Sequence, residues 1–331
     1  MMKLLAELGI MVAASSVVMG AVPGVALAAE TGFLQRSVTL DGISYRYQVF
    51  VPGDHSPARA WPVVLFLHGA GERGDDGRVQ AHVGLGAAIR AEPARFPMIV
   101  VMPQARRNTR WTGAMAAQAL KALDQSMAEF NGDPQRVYLT GLSMGGQGVW
   151  FMAASHPNQF AAIAPICGFI AGARDAAALG LRPEPAQAAD FPEQLAADPF
   201  GAFARRIGKQ PVWAFHGTAD SVVPVAQTRQ MVAAMRQGGG EVRFSEYAGA
   251  DHNSWDRAYA EPELVPWLCH TDSTPVEAPA PTEALRDRTQ PRSGKLGPQL
   301  TKGVQSLRRE RPSRPASGVL DRPEPRRWTR A

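Results

Sequence analysis

Val137-Tyr-Leu-Thr-Gly-Leu-Ser-Met-Gly145 is the stretch that decides the fold. An apolar run typical of a buried strand leads into the pattern G-x-S-x-G and then into the helical stretch Met144–Ser155. With 32 glycines in 331 residues the pattern alone is weak evidence, but a strand–turn–helix context is the one that presents a reactive serine. The flanking glycines fit, because such a sharp turn leaves no room for Cβ atoms. We predict that Ser143 is a nucleophile; a glycine-rich turn with an incidental serine is the alternative.

Apolar runs on both sides of this motif predict further strands that are covered on both faces. They are Val63–Leu67, Met98–Met102, Val137–Thr140, Ala161–Ile166, Val212–Phe215 and a last strand at Val242–Tyr247. Helical stretches separate most of them, such as Ala114–Phe130, Val225–Gln237 and a closing helix near Pro262–Leu268. Residues 33–51 predict an antiparallel hairpin that turns at Asp41-Gly42. The alternation predicts an α/β domain with a mostly parallel central sheet flanked by helices.

The two ends of the chain and one internal stretch depart from this alternation. Residues 1–29 predict a signal peptide, with Lys3 ahead of a long uncharged stretch and Ala26-Leu27-Ala28 as the cleavage pattern; an uncleaved anchor is the alternative. We therefore expect a secreted or periplasmic protein with no stable membrane insertion after cleavage. Residues 168–210 lack an obvious strand and predict a lid or pocket wall over the site, within a catalytic domain of residues 30–270. Residues 271–331 are rich in proline and arginine and predict a disordered tail.

The positive charge of the chain lies in this tail. The formal net charge is +5, but residues 271–331 alone hold 13 basic and 7 acidic residues. The preceding 270 residues are nearly balanced, so the charge does not indicate a nucleic-acid-binding surface. Only two cysteines are present, which excludes a small disulfide-stapled scaffold.

A serine hydroxyl reacts only when a base removes its proton and an acid orients that base. In serine enzymes built on this motif the acid and then the histidine follow the nucleophile along the chain. His252 lies in the loop after the last predicted strand, where the base is expected, whereas His216 precedes every well-placed acid. We predict His252 as the base; a solvated loop histidine is the alternative. His156 and His270 are also downstream, at a helix end and at the edge of the tail.

The orienting acid is predicted to be Asp220, which lies just past the strand at Val212–Phe215. Asp251 is a poorer candidate, because its side chain diverges from that of its neighbour His252. Three further aspartates, Asp175, Asp190 and Asp198, fall within the 168–210 stretch.

Attack by the serine on a carbonyl would create a negative oxygen that needs fixed N–H donors. One donor is predicted to be the backbone N–H of Met144, at the start of the helix. The other is predicted in the loop after Val63–Leu67, with Ala70 as first choice and Gly71 as second; His68 is predicted to hold this loop by hydrogen bonds. Trp111 and Trp255 both lie near strand ends and predict an aromatic wall for the substrate, with core packing as the alternative.

The histidines and cysteines show no metal-ligand spacing, and no nucleotide-binding glycine motif occurs, so no metal or cofactor is expected. Cys167 and Cys269 permit a disulfide bond, but the sequence does not supply the distance between them.

Several motifs together resemble the secreted α/β-hydrolases of the prolyl-oligopeptidase and dienelactone-hydrolase-like superfamily, near feruloyl esterases and polyester depolymerases. They are His68-Gly-Ala-Gly-Glu-Arg-Gly74, Gly141–Trp150, Ala164-Pro-Ile-Cys-Gly168, Pro211-Val-Trp-Ala-Phe-His-Gly217 and Asp251–Trp255. The resemblance covers roughly residues 33–270 and implies an α/β-hydrolase fold and a Ser-His-Asp esterase, with Ser143, Asp220 and His252 at the matching positions. The sequence shows no β-propeller of the kind found in true prolyl oligopeptidases.

Three functions follow as hypotheses. The first is a secreted hydrolase of carboxylic esters that works without a cofactor on a small-molecule or polymeric ester, feruloyl or polyester substrates included. The second is a serine peptidase with the same machinery, although nothing in the sequence indicates a peptide-selecting groove. The third is a non-catalytic binding module on the same fold.

Overall fold

The structure is a computed structural model, which describes residues 30–170 and 198–270. The predicted signal peptide, the predicted tail and residues 171–197 of the predicted lid lie outside the described residues. No helix within the described ranges is both long and apolar enough to span a membrane.

An eight-stranded sheet in the order β1-β2-β4-β3-β5-β6-β7-β8 forms the centre of the described domain. The strands are β1 (Gly32–Leu40), β2 (Ile43–Val51), β3 (Trp61–Leu67), β4 (Ile99–Pro103), β5 (Gly132–Leu142), β6 (Ala162–Ile166), β7 (Val212–Gly217) and β8 (Val242–Tyr247). The hairpin β1–β2 is antiparallel and β2 pairs antiparallel with β4, whereas every other neighbouring pair is parallel. The predicted α/β fold, with its N-terminal hairpin, is confirmed.

Helices cover both faces of this sheet. They are α1 (Leu85–Ala91), α2 (Ala114–Glu129), α3 (Met144–Ser155), α4 (Pro199–Ile207), α5 (Ala226–Gln237), α6 (Trp255–Ala260) and α7 (Leu264–His270). Side chains of β3 alternate between the two faces, as the period of two requires: Leu65 belongs to the buried cluster that includes α2 to α5, whereas Phe66 belongs to the cluster that includes α1, α6 and α7. Both faces are therefore buried, which is why the central strands consist of continuous apolar runs.

The described parts of the 168–210 stretch belong to the core of the domain. Phe169 and Ile170 are buried directly after β6, and α4 buries Phe203 and Ile207. Asp198 caps the start of α4, since its carboxylate accepts a hydrogen bond from the Gly201 N–H. These contacts place α4 against the core, and the lid or pocket-wall role of the 168–210 stretch stays a prediction.

Candidate active site

Ser143 stands at a sharp turn between β5 and α3. Its φ of 55° lies in the left-handed region, which is strained for a residue with a side chain. A Cβ atom on Gly141 would lie 2.7 Å from the carbonyl oxygens of Leu67 and Gly145, and one on Gly145 would overlap the Leu67 carbonyl. Only glycine fits on either side of the serine, so β3 passes directly against the turn and holds the serine above the sheet.

A continuous hydrogen-bonded run joins Ser143 to His252 and Asp220. His252 Nε2 lies 2.9 Å from Ser143 Oγ, and His252 Nδ1 lies 2.8 Å from Asp220 Oδ2. The Asp220 side chain is fully buried and that of His252 is 18% exposed. Because a carboxylate only accepts, Nδ1 carries the proton and Nε2 is free to accept the serine hydroxyl proton. The structure thus brings together the three predicted residues in the order that base-activated attack requires.

Asp220 receives several hydrogen bonds in its buried position. Its Oδ1 accepts from the backbone N–H groups of Val222 and Val223 at 2.9 and 2.8 Å, and its Oδ2 faces both His252 and His216. Burial by itself would raise the pKa of this carboxyl, but the hydrogen bonds from His216, His252 and the backbone outweigh burial and lower the pKa below its usual range. The aspartate therefore stays ionised and orients the imidazole at neutral pH.

His216 is a site residue that sequence reasoning set aside. It is fully buried, with Nε2 lying 3.1 Å from Asp220 Oδ2 and 2.9 Å from the Val223 carbonyl oxygen. Since both atoms are acceptors, Nε2 carries a proton, while Nδ1 lies 2.8 Å from the Thr228 hydroxyl. His216 therefore donates a second hydrogen bond to the same Asp220 oxygen that faces His252. The signal in the sequence was the four-residue spacing of His216 and Asp220 just after a strand.

The loop after β3 carries the predicted second oxyanion donor. Residues Ala70–Glu72 form a single 3₁₀ turn with Ala70 and Gly71 exposed, and Met144 is buried at the first position of α3. Nothing in the geometry singles out Ala70 over Gly71, and the oxyanion roles of Ala70 and Met144 stay predictions.

His68 holds this loop in place, as the sequence predicted. Its Nε2 accepts the Ala105 N–H at 2.9 Å, so Nδ1 carries the proton and donates to the Gly69 carbonyl at 2.6 Å. Burial lowers the pKa of His68 to about 4, and the nearby Arg73 charge acts in the same direction. The imidazole is therefore neutral at physiological pH.

The two predicted aromatic contacts differ in their surroundings. Trp111 is fully buried; its indole N–H donates to the His68 carbonyl at 3.0 Å, and its ring meets the His68 ring edge-on. The prediction that Trp111 contacts substrate is therefore wrong, because the indole packs beneath the loop after β3. Trp255 is partly exposed and perpendicular to the His252 ring, with centroids 5.5 Å apart. A substrate contact by Trp255 stays a prediction.

Cys167 lies beside the same three residues. It is buried, free and strained, with a φ of 40°. Its Sγ and ligand atoms of Asp220 and His252 all lie within 4.8 Å of one another. Because Asp220 and His252 already bond to each other, this group is accounted for by the acid–base pair with a neighbouring thiol. Burial raises the pKa of that thiol to about 12, and Cys269 is also free, so the two cysteines form no disulfide.

A family model described as the prolyl oligopeptidase family matches residues 105–268. Among curated proteins, an uncharacterised secreted protein of Arthroderma benhamiae is 24% identical over 257 residues, covering 71% of this chain and 26% of the relative. Poly(3-hydroxyalkanoate) depolymerase C of Paucimonas lemoignei is 27% identical over 217 residues, covering 59% of this chain and 47% of the relative. The chain thus spans about a quarter and about half of the lengths of these two relatives.

Solved structures share the fold. A thermostable esterase is 32% identical with a TM-score of 0.55, covering 71% of this chain and 62% of the esterase. An S-formylglutathione hydrolase from Staphylococcus aureus aligns over 73% of this chain and all of its own, with a TM-score of 0.55, but at 16% identity it supports the fold alone. The sheet order, the turn at Ser143 and these matches agree: the chain has an α/β-hydrolase fold and is similar to the prolyl oligopeptidase family, to an esterase and to a polyester depolymerase.

Proposed function

We propose that this protein is a serine hydrolase that cleaves carboxylic esters through an acyl-enzyme. The observation that carries the proposal is the hydrogen-bonded run from Ser143 through His252 to Asp220, with the serine at a strained turn. This arrangement lets a neutral imidazole take a hydroxyl proton while a buried carboxylate stabilises the cation that forms.

The reaction proceeds in two halves. Ser143 Oγ attacks the ester carbonyl while His252 Nε2 accepts the hydroxyl proton, and the imidazolium returns that proton to the departing alcohol. Water then attacks the acyl-serine while His252 Nε2 accepts a proton from it, and the imidazolium returns that proton to Ser143 Oγ as the carboxylic acid is released. The tetrahedral oxyanion of each half is stabilised by the N–H groups of Met144 and Ala70, a contribution on the order of 3 kcal/mol per donor.

The substrate is proposed to be an ester rather than an amide. Support comes from the thermostable esterase at 32% identity and from the curated relative named as a poly(3-hydroxyalkanoate) depolymerase. A polyester or feruloyl ester is the narrower form of the proposal. We also propose export from the cytoplasm, supported by the signal pattern in residues 1–29 and by the relative described as secreted.

Peptide hydrolysis is the second candidate, because the matching family model is described as a prolyl oligopeptidase family. It needs the same three residues, but the leaving amine must be protonated before it departs. The two candidates therefore differ in the bond cleaved and not in the residues that act.

The test compares p-nitrophenyl esters from acetate to palmitate with a peptide p-nitroanilide. Wild type is measured beside Ser143→Ala and beside Ser37→Ala, which alters an exposed serine of β1. We expect ester turnover, an initial burst of nitrophenol that reports the acyl-enzyme, and loss of several orders of magnitude in Ser143→Ala only.

Other outcomes reject the proposal. Ester turnover that survives in folded Ser143→Ala would contradict the nucleophile. Cleavage of the anilide alone would establish the peptidase, and folded wild type that cleaves no ester in the series would contradict the esterase.

A further inference from the structure

Arg73 is a partly buried cation beside the nucleophile turn. It lies in the loop after β3, and its Nε–H points at the Met144 sulfur at 3.2 Å. Met144 directly follows Ser143, so the guanidinium lies next to the residue whose N–H we propose as an oxyanion donor.

This guanidinium makes no ion pair with any described residue, although acidic residues are close in the chain. The Asp75 carboxylate lies 3.3 Å from Arg106, and Asp76 Oδ1 accepts the backbone N–H groups of Arg78 and Val79. The Glu72 carboxyl is turned inward, 3.9 Å from the His68 imidazole. All three nearby carboxyl groups are therefore directed elsewhere.

Desolvation without a partner is costly for a charged group. Burial lowers the pKa of Arg73, and no opposing charge among the residues that the structure describes offsets that effect. Among the described residues its single hydrogen bond is to a thioether, which is a weak acceptor. The terminal N–H groups of the guanidinium, which form a planar fork, therefore have no partner there. That fork matches the two oxygens of a carboxylate.

The adjoining loop adds positive charge. Residues 104–113 contain Arg106, Arg107 and Arg110 and no acidic residue. The two loops are joined by hydrogen bonds, from the Gly74 N–H to the Ala105 carbonyl at 2.9 Å and from the Gln104 amide to the Glu72 carbonyl at 3.0 Å. Across residues 68–78 and 104–113 five arginines stand against three acidic residues, and one of the five, Arg106, is paired with Asp75.

We propose that Arg73 binds a carboxylate of the substrate, so that the enzyme prefers esters that carry a negative charge near the scissile bond. This inference rests on the proposed ester hydrolysis and narrows its substrate class. The carboxylate lies on either the acid or the alcohol side of the ester, and the test separates the two.

The experiment uses two pairs of esters, each with an anionic and a neutral member. Monophenyl adipate and phenyl heptanoate carry the difference on the acid side, and 4-carboxyphenyl acetate and 4-acetylphenyl acetate carry it on the alcohol side. The ratio of kcat/KM for the anionic member to that for the neutral member is measured in wild type, Arg73→Met and Arg73→Lys. Arg107→Met is the matched control, because it removes an exposed charge from the adjoining loop.

For one pair we expect Arg73→Met to lower this ratio roughly 10- to 100-fold, the size of a hydrogen bond to a charged group, mainly through KM. The ratio for Arg73→Lys should lie between those for wild type and Arg73→Met, because lysine keeps the charge but lacks the paired N–H donors of the guanidinium. Arg107→Met should change the ratio by no more than about threefold, since exposed charges are screened by salt. The pair that responds identifies the side on which the carboxylate lies.

A ratio that Arg73→Met leaves unchanged in both pairs overturns the inference. If kcat/KM falls equally for anionic and neutral esters, the ratio is also unchanged, and Arg73 acts on the oxyanion in general. If wild type cleaves the neutral esters and the ratio is the same in wild type and Arg73→Met, the inference alone is rejected. If wild type cleaves no ester, the proposed function is rejected. If Arg73→Met does not fold, two other measurements decide: the ratio in Arg73→Lys, which should be lower than in wild type, and the competitive inhibition of wild type by adipate. Absence of both effects then overturns the inference.

Discussion

Acid should destabilise this protein through His68, whose neutral imidazole is fully buried beneath the loop after β3. Its ring nitrogens are both engaged, one accepting the Ala105 N–H and the other donating to the Gly69 carbonyl. A proton on Nε2 would break the first of these bonds and place a positive charge in the core. Burial accordingly lowers the pKa of His68 to about 4.

The magnitude follows from the difference between the folded and unfolded states. An unfolded histidine has a pKa of about 6.5, so below that pH the unfolded chain binds a proton that folded His68 refuses. Stability therefore falls as pH decreases from about 6.5 to about 4, by up to about 1.4 kcal/mol per pH unit. Between pH 7 and 4.5 this amounts to about 2 kcal/mol of unfolding free energy. Asp220 does not contribute here, because the stability from its lowered pKa is lost only below about pH 4.

Urea unfolding of the full chain, followed by tryptophan fluorescence at pH 7 and pH 4.5, measures this effect. His68→Gln should be less stable than wild type at pH 7, since it loses buried hydrogen bonds, but its loss between the two pH values should be about 2 kcal/mol smaller. His82→Gln, at an exposed histidine, is the matched control and should lose as much as wild type. His156 has its pKa lowered by burial as well, but it is common to all three proteins. An equal loss in His68→Gln and wild type would refute the reasoning.

Four further outcomes are expected. His216→Gln should lower kcat roughly tenfold with little change in KM, because the acid loses a hydrogen bond to its charge; wild-type kinetics would contradict that role. Cys167, with its pKa raised to about 12 by burial, should resist iodoacetamide at pH 8 in the folded protein and react in urea, as mass spectrometry would report; rapid labelling of folded protein would count against it. Gly145→Ala should lower the melting temperature markedly, since the new Cβ overlaps the Leu67 carbonyl; an unchanged melting temperature would mean that the turn can open. Trp255→Ala should raise KM for aryl esters more than for short alkyl esters, and equal changes would place the indole outside the substrate wall.

The polar groups of the site fall into two kinds, those fixed by several hydrogen bonds and one cation held by a single weak contact. Asp220 and His216 are buried and connected to the backbone, so they restrict where the His252 ring can lie. Arg73, in contrast, is held by a weak contact, and its terminal N–H groups have no hydrogen-bond partner within residues 30–170 and 198–270. The first kind positions the reacting groups, and the second is available for recognition of a substrate.

Much of the fold could be predicted because its signals are local. Each central strand is a continuous apolar run, since helices cover both faces, and the hairpin turns where Asp41-Gly42 supplies two residues with positive φ. The serine turn was visible because only glycine fits beside it. The positions of Asp220 and His252 followed from chain order, since parallel strands bring their carboxyl ends to one edge of the sheet.

What the sequence by itself determined is therefore the strand–helix alternation, the turn at Ser143 and the residues that chain order brings to its edge. Only the tertiary structure decided that Trp111 is buried beneath a loop, that His216 contacts the aspartate, and that Arg73 faces Met144 without an acidic partner in the described part of the chain. The reason is physical: backbone propensity and hydrophobic period act between near neighbours, whereas these contacts join residues from separate loops. Whether a side chain ends up buried, paired or unpaired depends on what the rest of the chain packs against it.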